Sequence, residues 1–218
     1  MELTRQQISD AVDEHGWCLI LGTLQAHVLA GSLAAGAGFA ARVAALDQSA
    51  GHVLMDVRDD QVVVTVRTGG DDRVLPHDID LARQITALAA SLGMTTRAAG
   101  GPRAPQGLEI GIDALDIAAV RPFWQAVLSY AEHGGNVLAD PLGGGPAVWF
   151  QQMDAPRRQR NRIHLDVSVP FRQALPRIEA ALAAGGTLIN DKQAPAFWVL
   201  ADPEGNEACI STWQGRDT

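Results

Sequence analysis

Cysteine is scarce in this 218-residue chain. Cys18 and Cys209 are the two it has, which excludes a disulfide framework and predicts a reducing, cytoplasmic setting. A basic surplus is also missing: 17 Lys+Arg stand against 25 Asp+Glu, for a net charge of −8. The deficit is even, with 8 basic against 12 acidic residues up to position 106 and 9 against 13 afterwards. Neither half resembles a basic module that tracks a phosphate backbone, so no nucleic-acid partner is expected. The opening Met1-Glu2-Leu3-Thr4-Arg5 lacks the basic-then-apolar order of a signal peptide. The apolar stretch from Leu19 to Ala41 is broken by glycines, Gln25 and His27, so no membrane association is expected. What remains, at 47% apolar composition, is ordinary globular material.

The middle of the chain has no periodicity. Ala98 to Gln106 is dense in Gly and Pro and reads as a linker, dividing residues 1–97 from residues 107–218. After it comes a strand pattern that recurs 57 residues later, Gly107-Leu108-Glu109-Ile110-Gly111-Ile112 against His164-Leu165-Asp166-Val167-Ser168-Val169. Leu108, Ile110 and Ile112 match Leu165, Val167 and Val169, and Glu109 matches Asp166. This is the alternation of half-buried strands, and the repeat predicts duplicated units whose polar faces share a cleft.

The first half reads as α+β. Thr4 with Gln7 fits a capping box ahead of Ile8, Ala11 and Val12. Trp17 to Leu24 is expected as a strand, Gly36 to Leu46 as a helix, and Gln61 to Thr68 as a strand rich in β-branched residues. A third helix starts at Asp78 or Asp80, with Ile79, Leu81, Ile85, Leu88 and Leu92 as its buried stripe and Gly93 closing it. Leu3-Thr4, Gly16-Trp17, Phe39…Val43-Ala44 leading to Gly51-His52, the strand ending in Thr68, and Asp78…Leu81-Ala82 occur in an order that resembles the pterin-4a-carbinolamine dehydratases. The resemblance implies a four-stranded antiparallel sheet with helices on one face, usually assembled as a homo-oligomer. It also implies an active 4a-hydroxytetrahydrobiopterin dehydratase or a pterin-binding protein as alternatives. The family's His-His-Pro triplet reads His52-Val53-Leu54 here, however, and its further histidine is replaced by Gly69 and Gly70. Acid/base dehydration needs those imidazoles, so this half is expected to be an inactive scaffold with His52 and Asp78 as pterin-site remnants.

In the second half each repeat reads strand, helix, then two or three strands. Pro122 suggests that the first helix begins only near Val120. The second helix carries Leu175, Ile178 and Leu182, and Gly185-Gly186 end it. Phe123-Trp124…Leu128, Trp149-Phe150-Gln151, Arg162-Ile163-His164-Leu165-Asp166-Val167 and Asp202-Pro203-Glu204-Gly205-Asn206-Glu207 resemble the vicinal-oxygen-chelate superfamily, and most closely a glyoxalase-like subgroup. The resemblance implies paired βαβββ modules around an open cleft, with a lyase, isomerase or dioxygenase type of chemistry, or non-catalytic sequestration of a small molecule.

That scaffold places the expected site on His164 as the catalytic residue, with Glu109, Trp149, Gln151, Asp166 and Glu207 as ligand-binding residues. In metal-using members each module supplies one side chain at its start and one on its last strand. His164 fits the second module's start, Gly107 cannot serve the first, and Gln151 or Gln152 with Glu207 or Cys209 occupy the last strands. No firm cofactor follows, because a catalytic divalent ion wants three firm ligands. Arg157, Arg158, Arg160 and Arg162 form a solvated run or a gate for an anionic substrate. The expected partner is a small molecule.

Overall fold

The structure is a computed structural model that describes residues 3–68, 73–98, 106–156 and 163–215. Gly69 and Gly70, most of the Gly/Pro stretch (99–105) and the four arginines at 157, 158, 160 and 162 lie outside those residues. The chain divides into two compact units, Met1–Gly107 and Leu108–Thr218.

The first unit opens with α1 (Arg5–Asp13), whose Thr4 side chain accepts from Gln7 N while the Gln7 side chain accepts from Thr4 N. Ile8 and Val12 are its buried face. The expected strand from Trp17 to Leu24 is instead a hairpin, β1 (Cys18–Ile20) and β2 (Thr23–Leu29). Leu21 and Gly22 both take positive φ, 46° and 73°, the two-residue turn that matches strand twist. Helix α2 (Leu33–Ala44) begins three residues earlier than expected, because Ser32 caps it through Ala35 N. β3 (Val53–Val57), β4 (Gln61–Val66), α3 (Pro76–Ser91) and β5 (Thr95–Arg97) complete the unit.

The sheet runs β1-β2-β4-β3, with β5 also on β2, so it has five strands rather than four. β1 and β5 take successive stretches of one edge of β2, Thr23 to Gln25 and His27 to Leu29. Trp17, Leu24, Val28, Phe39, Val64, Leu81 and Ile85 form a fully buried core.

The second unit contains two sheets of four strands. In the first, β6 (Glu109–Ala114) leads through α4 (Ile117–Leu128) to β7 (Ala131–Glu132), β8 (Val137–Ala139) and β9 (Ala147–Gln152), ordered β6-β9-β8-β7. The second is β10 (Leu165–Ser168), α5 (Phe171–Ala183), β11 (Thr187–Asn190), β12 (Phe197–Ala201) and β13 (Glu207–Ser211), ordered β10-β13-β12-β11. In each sheet the opening strand lies parallel to the last strand of its module, so the duplication seen in sequence extends to topology.

Three expectations fail here for physical reasons. Helix α4 starts at Ile117, where the Asp116 side chain accepts from Ala119 N, and it continues through Pro122. Burial of Val120, Phe123, Trp124 and Val127 on one stripe outweighs the backbone bond that proline cannot make. Helix α5 buries Ala174, Ile178 and Ala181, while Leu175 and Leu182 are exposed; the stripe is rotated because small alanines let α5 approach the core. Leu108, expected inside, precedes β6 and is exposed.

The core side of both sheets is apolar. Ile112, Val148 and Phe150 from the first module share one cluster with Leu200, Ala208 and Ile210 from the second. A staple links the modules. The Glu204 carboxylate accepts from Leu115 N and Asp116 N, and the Trp124 indole donates to the buried Asp202 at 2.9 Å. Asp202 also accepts from Glu204 N, Asn206 N and the Asn206 amide. The Asp202-Pro203-Glu204-Gly205-Asn206 motif is therefore structural.

Candidate functional site

Strand alternation fixes what each sheet shows on its other face. With Leu165 and Val167 packed on the core, His164, Asp166 and Ser168 share the opposite side. The parallel register sets Asp166 beside Cys209 and Ser168 beside Ser211, and the two serine hydroxyls are 3.0 Å apart. His164 Nε2 lies 3.6 Å from Asp166 Oδ1. The ligating atoms of His164, Asp166 and Cys209 all fall within 4.8 Å of one another, the two former residues exposed and the cysteine buried. Burial pushes the Cys209 thiol up to about 11, helped by its hydrogen bond to Asp166 and by the charges of Asp166 and Glu207. At neutral pH it is a proton donor to Asp166, not a thiolate nucleophile.

The first module shows Glu109, Gly111 and Asp113 beside Ala147, Trp149 and Gln151. Trp149 is partly exposed, and its indole lies over Gly111, where an added Cβ would sit 3.0 Å from the ring. Glycine at 111 leaves that ring room that a side chain there would crowd.

The residues expected from sequence thus fall on two faces. His164 and Asp166 come together, joined by Cys209. Glu207 is on the same side of β13 as Cys209 but outside the trio, and Glu109, Trp149 and Gln151 are on the first module's face. His52 and Asp78 belong to the other unit, where they meet His77, a residue that sequence reasoning missed. Its one signal was its place beside Asp78 in the first turn of a helix.

The divalent ion that the sequence resemblance implies does not fit these donors. The ion would be gripped from both modules, yet all three clustered donors belong to the second. Gln152 is committed to the carbonyls of Ala114, Leu115 and Met153.

Residues 109–211 match the family described as Glyoxalase-like domain. Among solved structures, a glyoxalase/bleomycin resistance protein/dioxygenase family enzyme from Burkholderia phytofirmans PsJN is 22% identical with a TM-score of 0.40, over 48% of this chain and 95% of that one. A glyoxalase-related enzyme from Fulvimarina pelagi is 18% identical, TM-score 0.40, over 50% and 88%. A fosfomycin resistance protein from Mesorhizobium loti is 13% identical, TM-score 0.40, over 52% and 96%. No curated protein matches the chain. Among the described residues no helix is long and apolar enough to cross a membrane.

Proposed function

We propose that the glyoxalase-like unit binds a small molecule on its polar sheet faces and that His164 is the proton acceptor of that site. The observation that carries this reading is the convergence of His164, Asp166 and Cys209 within 4.8 Å on the face turned away from the core. An imidazole titrates near neutrality in its ordinary state and suits proton transfer. Asp166 supplies the negative charge that steadies an imidazolium, and its bond from Cys209 fixes the carboxylate's direction. The match to a glyoxalase-like domain supports a small-molecule role for this face.

Trp149 gives the ligand its second contact. A half-exposed indole seated over Gly111 is a stacking surface for an aromatic or otherwise flat group. The test is a thermal-shift screen with α-keto aldehyde adducts, pterins and aromatic compounds, followed by tryptophan fluorescence on the hits. A ligand of this site quenches the parent more strongly than it quenches Trp149→Phe. Equal quenching of the two proteins by every hit would place the ligand elsewhere.

A further inference from the structure

The resemblance described above gives His52 and Asp78 as pterin-site remnants. In the structure a third titratable residue, His77, joins them. His52 follows a turn, with its backbone N–H bonded to Ser49 O, and stands just before β3. His77 and Asp78 are the second and third residues of α3. Asp78 is fully buried, and one of its oxygens, Oδ2, accepts from the Thr68 hydroxyl at 2.6 Å and from Leu75 N at 2.8 Å. Those two bonds satisfy its role at the helix start and lock the carboxylate in place.

The other oxygen takes no part in the helix start. Oδ1 faces His52 Nδ1 at 3.2 Å and His77 Nε2 at 3.4 Å, and the two rings meet edge to face with centroids 4.9 Å apart. The His52 contact is a hydrogen bond at the long end of the range, and His77 Nε2 also lies 3.5 Å from the Thr68 hydroxyl. The same separations match ligands that share a cation. Ligands held tetrahedrally at about 2.0–2.1 Å from a metal stand roughly 3.3–3.4 Å from each other. All three ligating atoms lie within 4.8 Å of one another. The imidazoles are partly exposed while the carboxylate beneath them is not, so further coordination positions would open outward to solvent or substrate.

We propose that the first unit carries a divalent transition-metal site made by His52 Nδ1, His77 Nε2 and Asp78 Oδ1. Two imidazoles and one carboxylate favour zinc, cobalt or ferrous iron over magnesium and calcium, which prefer all-oxygen sets. Thr68 and Leu75 N act as the outer partners that orient the carboxylate, as such partners do in metal sites generally. Three protein ligands with open positions are the arrangement of a reactive or substrate-binding ion rather than of a structural one.

The experiment uses the untagged full chain, stripped with a chelator and titrated with Co²⁺ alone, with Zn²⁺ competition to follow. One equivalent should bind with visible ligand-field bands and without the near-ultraviolet thiolate band that Cys209 would contribute. His77→Ala should weaken binding at least ~100-fold with a nearly unchanged Tm, since the His77 ring is partly exposed. His52→Ala should act alike, and Cys209→Ser should bind as the parent does. Absence of stoichiometric binding at millimolar Co²⁺ would overturn the proposal. So would binding that survives His77→Ala or is lost in Cys209→Ser.

Discussion

Among the described residues each unit buries one aspartate near a helix, and the two are used differently. Asp202 gives both oxygens to structure, each accepting two hydrogen bonds from Trp124, Glu204 and Asn206. Asp78 gives one oxygen to structure and turns the other toward two imidazoles. Burial alone therefore does not separate a staple from a site. What separates them is the partner of the second oxygen: backbone and amide donors fix a turn, whereas titratable ligands make chemistry possible.

The comparison breaks most sharply on Asp202→Ala. Removing that carboxylate strands the buried Trp124 indole and two backbone donors, which should cost the second unit about 3 kcal/mol or more. Urea unfolding followed by tryptophan fluorescence should show the second unit's transition moving to lower urea, with the first unit's transition, reported by Trp17, unmoved. A single transition that shifts as a whole would mean that the units do not unfold separately. Asp78→Asn, by contrast, keeps an acceptor for Leu75 N, and should cost only about 1 kcal/mol by the same measurement.

Cys209 sharpens the contrast in another way. Its thiol pKa is raised in the folded chain from the ordinary 9.0 to about 11, first by burial and then by Asp166. A group whose pKa rises on folding contributes stability that is fully present below its unfolded value. That contribution should fade as pH climbs from about 9 through 11. In a Cys18→Ser background, iodoacetamide should label Cys209 slowly at pH 8, and Asp166→Asn should speed labelling by removing the carboxylate that holds the proton. Fast labelling of the parent would contradict the assigned environment. The smallest effect is expected from Gly111→Ala, where the new methyl must lift the Trp149 indole; a modest change in Trp149 emission, with Tm nearly constant, should report it.

Much of this was legible in the chain because it depends on local pattern. The alternation of β6 and β10, the β-branched run of β4, the Thr4–Gln7 cap and the turn at Asp202 to Asn206 are written in neighbouring residues. The rotated stripe of α5 and the passage of α4 through Pro122 were not, since both follow from what packs against the helices. The site residues divide the same way. His164 and Asp166 are two apart on one strand, but Cys209 joins them only through the register of β10 with β13. His77 meets His52 across 25 positions of sequence, through the packing of α3 against the sheet at β4, and no spacing rule announces it.

The central claim is that the small-molecule site lies on the second unit's polar face, with His164 its most sensitive residue. The direct measurement is the affinity of a screened ligand, by calorimetry, for the parent, His164→Ala and His52→Ala. The account predicts a loss of roughly tenfold or more, ~1.4 kcal/mol, in His164→Ala and parent-like binding in His52→Ala. Parent-like binding by His164→Ala together with a loss in His52→Ala would contradict it and move the site to the first unit.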